Sequence, residues 1–270
     1  MRTASPAAAA GIVKGDRLTA IGDVPVAEAV AQYWAALGLT VVGDRGQVGA
    51  RVLAAGRRNR PRDLTIAHAG TERRLSLASL YASEPDLAPV TIATQRRGIH
   101  AVLINNSLGD LATIAAFDTA MASIPDRAAV MIDLTNTPSG GNTSVARAMM
   151  GWFVKAAAAY QVHSLPSEMR ETGIARQWIE QVLPRAGKFH PGPVSIRVGR
   201  WTGSMGEGLA IGFNTIGGKV CGGPMAQLRG AVYDFALPSS GIVVKFAAER
   251  LNTTKGLARE RFEPPPCTGE

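Results

Sequence analysis

Ser204 lies in Trp201-Thr-Gly-Ser-Met-Gly-Glu207, between Gly203 and Met205 with Gly206 just beyond, so little stands in the way of its hydroxyl. The apolar alternation of Val194, Ile196 and Val198 predicts a strand before it, and a helix is predicted over 207–216. A hydroxyl at such a strand-to-helix turn is where acyl-transfer chemistry places a nucleophile. Serine attacks a carbonyl only when its backbone is held, its oxygen stands clear, and nearby N–H groups take up the charge that develops. Gly203 and Gly206 permit the turn, and a helix N-terminus supplies spare N–H groups. A plain helix cap accounts for the same serine and is its commoner use. The strict Gly-x-Ser-x-Gly elbow is also not met, because Thr202 stands at its first glycine.

A second stretch, Asp133-Leu-Thr-Asn-Thr-Pro-Ser-Gly-Gly-Asn142, follows the almost wholly apolar strand predicted over 128–134. Loops at the carboxyl ends of parallel strands converge on one edge of a sheet, so this turn and the Ser204 turn are expected side by side. Gly140 and Gly141 carry no side chains to obstruct a ligand, and their amides can face an anion. The Gly-x-x-x-x-Gly-Lys-Ser/Thr pattern of a phosphate loop is absent. A bland turn with Asn142 or Thr143 as helix cap fits equally.

The elements that must position these turns fall in two groups. Residues 1–82 predict a β-rich module. Its strands are 17–21, 63–67 and 73–77, its turns Gly22-Asp23 and Ala69-Gly70, and its helix 27–37. A linker over 83–89 leads to a second domain at 90–270. There strands at 99–105, 128–134, 160–165 and 194–198 alternate with helices at 112–123, 143–154 and 207–216. That alternation predicts an α/β fold with a mostly parallel sheet. Residues 167–182 are read as a helical excursion, 184–193 as a loop, and 231–246 as two strands broken at 238–241.

The 29 Lys and Arg against 21 Asp and Glu give +8, but the arginines of 51–97 lack interleaved aromatics and a recognition helix. They predict solvated surface, not a nucleic-acid interface. No apolar run reaches eighteen residues, so no membrane span is expected. Residues 1–11 lack the apolar core and cleavage pattern of a secretory signal. Cys221 and Cys267 have no metal-ligand spacing to other Cys or His, and no metal or cofactor is expected. A bridge between them and a buried free thiol both remain open.

Three segments together carry a family resemblance. Ser5 through Ile12, Gly15-Asp-Arg-Leu18 and Ile21-Gly-Asp-Val24 resemble the middle of a PDZ domain. Asp133 through Gly141 and Thr202-Gly-Ser-Met-Gly-Glu207 are similar to the two active-site loops of the carboxyl-terminal processing peptidases, serine proteases that include the tail-specific and tricorn core proteases. The resemblance implies a partial PDZ-like module, a Clp protease/crotonase-like core, and attack by Ser204 on a peptide carbonyl. The oxyanion hole it implies is made by the Met205 amide and one of Gly140 or Gly141. The partner it implies is a polypeptide substrate or carboxyl-terminal peptide; oligomeric state and localisation stay open.

Departures from the family pattern shape the expectation of mechanism. Where the tail-specific branch carries its lysine base, this chain has Leu228-Arg229-Gly230, and arginine cannot accept the serine proton. The tricorn-like branch takes a histidine from a segment before the PDZ, assisted by a late glutamate that Glu260 resembles, with Glu263 the fallback. The segment before the PDZ match is not in this sequence, so an amino-terminally truncated, impaired endopeptidase is expected. A peptide-binding protein that keeps the fold is the alternative. A crotonase-like acyl-CoA enzyme has no CoA site to support it. Among the four histidines, His163, on the strand leading to the active edge, is the candidate base. His68 and His100 read as core or surface, and His190 lies in a proline-bounded loop.

Overall fold

Alternating apolar residues in the first eighty positions build one antiparallel sheet. The structure, a computed structural model, describes residues 5–79, 87–95, 98–137 and 140–268. Arg96, Arg97, Pro138, Ser139 and residues 83–86 of the expected linker lie outside the described residues. The chain divides into two compact units, Met1–Asp86 and Leu87–Glu270.

In the first unit, β1 (Arg17–Ile21), β2 (Val24–Pro25), β3 (Arg62–His68) and β4 (Thr71–Leu77) pair antiparallel in the order β2-β1-β3-β4. Leu64, Ile66 and Leu77 form its buried core, with Leu18, Ile21 and Leu75 packed against them. Ala69 and Gly70 both take positive φ, 46° and 86°, as a tight two-residue hairpin turn requires. Helix α1 (Pro6–Ala9) is capped by Ser5, whose hydroxyl accepts the Ala8 N–H at 3.2 Å. Helix α2 (Val26–Ala35) follows the apolar spacing read over 27–37. Helix α3 (Arg45–Ala55) was not legible: its apolar residues form no continuous stripe, and it is fixed by packing on α2, where Trp34 Nε1–H donates to the Arg45 carbonyl at 2.9 Å.

The described residues of the second unit form two sheets. The first, in the order β11-β10-β7-β6-β5, comprises β5 (Val90–Thr94), β6 (His100–Ile104), β7 (Val130–Asp133), β10 (Val194–Arg197) and β11 (Lys219–Cys221). All its pairs are parallel except β5 with β6. Its Val102, Ile104, Ile132 and Ile196 are fully buried against Phe117 and Met121 of α4 (Ala112–Ala122), Val145 and Met149 of α5 (Thr143–Met150), and Leu209 and Phe213 of α7 (Met205–Thr215).

The second sheet corrects the expectation of one mostly parallel sheet. Strand β8 (Ala158–Ser164), read as part of that sheet, instead pairs antiparallel in the order β12-β13-β8-β9 with β9 (Gln177–Val182), β12 (Ala231–Ala236) and β13 (Val243–Asn252). The helical excursion over 167–182 is also corrected. Helix α6 (Pro166–Thr172) ends at Gly173, which takes a left-handed φ of 74°, and β9 begins four residues later with Trp178, Glu180 and Val182 inward at a period of two.

Helix α7 packs on β10 and β11 on one side and β8 on the other. Two glycines one turn apart make that approach close. A methyl at Gly208 would lie 3.0 Å from Gln161 Oε1, and one at Gly212 would lie 2.5 Å from Met150 Sδ and 3.2 Å from the Tyr160 ring. The alternatives left open for the cysteines resolve into a disulfide between Cys221 and Cys267. It fastens the chain end beside β11, where the Gly222 N–H donates to the Pro265 carbonyl at 2.9 Å. Among the described residues no helix is long and apolar enough to cross a membrane.

Candidate active site

Thr202, which broke the expected glycine pattern, anchors the turn after β10. Its hydroxyl accepts the Gly199 N–H at 3.0 Å and donates to the Leu134 carbonyl at 2.9 Å, tying this turn to the end of β7. The Thr202 carbonyl accepts the Ala226 N–H at 2.9 Å. Ser204 follows with φ 53° and ψ −115°, a backbone conformation that costs a non-glycine residue about 1–3 kcal/mol. The residue is half-buried.

The strain at Ser204 is held by Glu207, three residues on, at the spacing of a capping box. The Ser204 N–H donates to Glu207 Oε2 at 2.8 Å, and the Leu228 N–H donates to the same carboxylate at 3.2 and 3.3 Å. Glu207 is 1% exposed. Burial pushes its carboxyl above the usual range, against the charge of Arg259 and the N–H groups of Ser204 and Leu228. Arg259 is itself buried and donates to the carbonyls of Leu228 at 3.1 Å and Gly230 at 2.8 Å. Through Leu228, which Glu207 holds by its N–H and Arg259 by its carbonyl, the Ser204 turn, the 228–230 segment and the 3-10 turn Arg259–Arg261 are connected.

The glycine turn meets this assembly directly. A methyl built on Gly140 would lie 2.3 Å from Ser204 Cβ, 2.6 Å from Ser204 Oγ and 2.7 Å from the Met205 nitrogen. The Met205 N–H, at the first position of α7, has no carbonyl one turn earlier in the helix to bond. Gly141 is backed by the loop after β6: Leu108 bridges to it, and a methyl there would lie 1.9 Å from the Leu108 carbonyl carbon. In the same loop Ser107 donates to the Gly140 carbonyl at 2.8 Å and accepts the Gly109 N–H at 3.0 Å. Asn142 then caps α5 by accepting the Val145 N–H at 3.2 Å.

Sequence reasoning thus brings together Ser204, Met205, Gly140 and Gly141. It missed Ser107 and the structural part played by Glu207. The Ser-x-x-Glu spacing could have revealed Glu207; nothing in the sequence marks Ser107, whose role depends on β6 lying beside β7.

His163 is placed otherwise than its expected role as base requires. Its Nδ1 hydrogen-bonds Glu249 Oε1, its Nε2 faces Glu180 Oε2 at 3.2 Å and the Gln161 amide at 2.9 Å, and its ring stacks on Trp178. Burial pushes the imidazole down, but the hydrogen bonds and charges of Glu180 and Glu249 outweigh it and raise the pKa to about 9. With both nitrogens engaged by side chains other than Ser204, the imidazole is not placed to accept the serine proton. Glu260 lies half-buried in the 3-10 turn beside Arg259, and no hydrogen bond among the described residues links it to Ser204. Arg229 is exposed, one residue beyond the Leu228 N–H that Glu207 holds. Among the described residues no group of three His, Cys, Asp or Glu stands together to hold a metal ion.

A strained serine, a neighbouring helix-start amide and a bare glycine turn form an arrangement that can attack a carbonyl and hold the resulting oxyanion. No family model and no curated protein sequence matches the chain. Solved structures do. The photosystem II D1 C-terminal processing protease is 17% identical with a TM-score of 0.62, over 97% of this chain and 64% of that protease. Mature CPAF is 13% identical with a TM-score of 0.63, over 94% of this chain and 72% of its own. A lipoprotein from Streptococcus agalactiae is 13% identical with a TM-score of 0.53, over 68% of this chain and 67% of its own. The likeness is one of fold: a mixed α/β chain with the fold of C-terminal processing peptidases, spanning less than two thirds of the D1 protease's length.

Proposed function

We propose that the chain is a serine endopeptidase-like member of the carboxyl-terminal processing family, acting on polypeptides through Ser204. The reading takes residues 1–82 as a partial PDZ-like module and 90–270 as a Clp protease/crotonase-like core. The observation that carries it is the meeting of Gly140 with Ser204 Oγ and the Met205 nitrogen, at 2.6 and 2.7 Å from the position a methyl would fill. In this reading Ser204 Oγ bonds to the scissile carbonyl carbon as its proton leaves to a base. The carbonyl oxygen then becomes an oxyanion held by the Met205 N–H and one of the Gly140 or Gly141 N–H groups. Glu260 is assigned as the carboxylate that orients the base, supported by its position next to Arg259, which anchors the 228–230 segment. His163 is left out of the hydrolytic set as placed, because its ring nitrogens are turned to Glu249, Glu180 and Gln161.

Labelling with a fluorophosphonate tests the reading without requiring a substrate. The expected result is an adduct on Ser204 by peptide mass mapping, lost in Ser204→Ala. Folded protein that forms no adduct there would end the proposal.

A further inference from the structure

The second sheet carries a groove of about 930 Å³ between α6, β13 and the 3-10 turn. None of residues 201–207 lines it. Four arginines that do, Arg170, Arg229, Arg250 and Arg261, are exposed and have no carboxylate partner among the described residues. A fifth, Arg176, pairs with Glu168 at 3.2 Å and lies over the Trp178 ring. The carboxylates facing the same space are Glu249 and Glu260. Glu249 is already engaged by His163 and by the Tyr233 hydroxyl at 2.8 Å, while Glu260 adjoins the buried guanidinium of Arg259. Four guanidiniums without a carboxylate partner, set against Glu249, already engaged, and Glu260, leave a concave surface of net positive charge, which attracts anions and repels itself when empty.

The groove also has an apolar edge, the stacked rings of Phe235 and Phe246 with centroids 4.3 Å apart. It begins where the active site ends, since Arg229 follows Leu228, whose N–H shares Glu207 with Ser204. Its volume lies within the range of pockets that enclose a ligand, roughly 300–1,000 Å³. We propose that this groove binds an acidic stretch, rich in Asp or Glu, of the polypeptide whose neighbouring bond is presented to Ser204. Carboxylates would form charge-assisted, bidentate hydrogen bonds with the unpaired guanidiniums. The inference deepens the peptidase reading and rests on it for the word substrate.

Fluorescence anisotropy with a labelled decaglutamate peptide tests it, against decalysine, an uncharged Gly-Ser decapeptide and a ten-residue oligothymidylate. Wild-type chain and Ser204→Ala are both expected to bind decaglutamate, more weakly at higher salt, and to ignore the first two controls. Arg250→Glu with Arg261→Glu should weaken binding by at least about tenfold, the cost of removing two charge-assisted partners. Arg250→Gln with Arg261→Gln should fall between, and serves if the reversal disturbs folding. Unchanged affinity in either folded double variant, or equal binding of the uncharged peptide or the oligothymidylate, would overturn the proposal. The peptidase reading fails separately, on the absence of a fluorophosphonate adduct, and that outcome leaves the anisotropy result standing.

Discussion

Gly140→Ala asks whether the two turns meet as described. The added methyl would sit 2.3 Å from Ser204 Cβ, 2.6 Å from Ser204 Oγ and 2.7 Å from the Met205 nitrogen. Ordinary contacts of such an atom begin near 3.4 Å, so one turn must retreat by roughly 1 Å. The Ser204 side is braced by Glu207 and Thr202, and the Gly140 side by Ser107 and Leu108, so neither yields freely. Overpacking of this kind costs about 1–3 kcal/mol, a fall in melting temperature of roughly 2–12 °C for a unit of this size. A 1 Å misplacement of reacting groups costs on the order of a hundredfold in rate. The rate of fluorophosphonate labelling at Ser204 is therefore expected to drop about a hundredfold by the same estimate. Gly173→Ala is the control. Its φ of 74° strains alanine, but nothing lies within 4 Å of the new methyl, so it should lower stability and leave labelling unchanged. Wild-type labelling and melting in Gly140→Ala would refute the placement of the two turns.

Other outcomes follow from the same geometry. Glu207→Gln replaces a carboxylate that accepts two N–H groups with an amide that turns a donor toward one of them. It should cost about 1–3 kcal/mol in denaturant unfolding and slow Ser204 labelling by loosening the turn. His163 has a folded pKa of about 9 against an ordinary 6.5, so its stabilisation is complete below pH 6.5 and lost as pH rises through 9. Melting temperature should fall over that window in wild type and fall less in His163→Gln. Glu180 runs the other way: burial pushes it up, but His163, Tyr160 and Thr143 prevail and hold it near 2. Its stabilisation is present above pH 4.5 and lost as pH falls toward 2. Reduction of Cys221–Cys267, which closes a loop of 46 residues, should lower unfolding free energy, by about 4 kcal/mol on the chain-entropy relation. A matched denaturation series with and without dithiothreitol measures it.

What the sequence made legible is what local pattern dictates. Val194, Ile196 and Val198 announced β10, Ala69-Gly70 announced a hairpin, and the small residues around Ser204 and Gly140 announced turns that nothing obstructs. What it hid depends on partners distant in the chain. Residues 177–182 alternate at a period of two, but following directly on a helical run they read as its continuation until Gly173 is seen to end it. His163 read as the candidate base because Glu180 and Glu249 lie 17 and 86 residues away, brought to it only by the pairing of β9 and β13 with β8. The same pairing moved β8 out of the parallel sheet, since a strand read alone does not disclose which edge it joins. Thr202 looked like a defect in an elbow motif; its bond to Leu134 shows a hydroxyl fixing the turn where a glycine would leave it loose.

Helix α7 starts at the Ser204 turn and presents Gly208 and Gly212 to β8 and its neighbours, so backbone lies almost against side chain with no compressible layer between. A helix seated this way transmits rather than absorbs. A sideways push on the antiparallel sheet arrives at its first turn as a movement of comparable size, and sub-ångström errors there decide whether an attacking oxygen is aligned. Bulky replacements at either glycine, about one and two turns from Ser204, should therefore slow fluorophosphonate labelling of Ser204 although neither residue belongs to its turn.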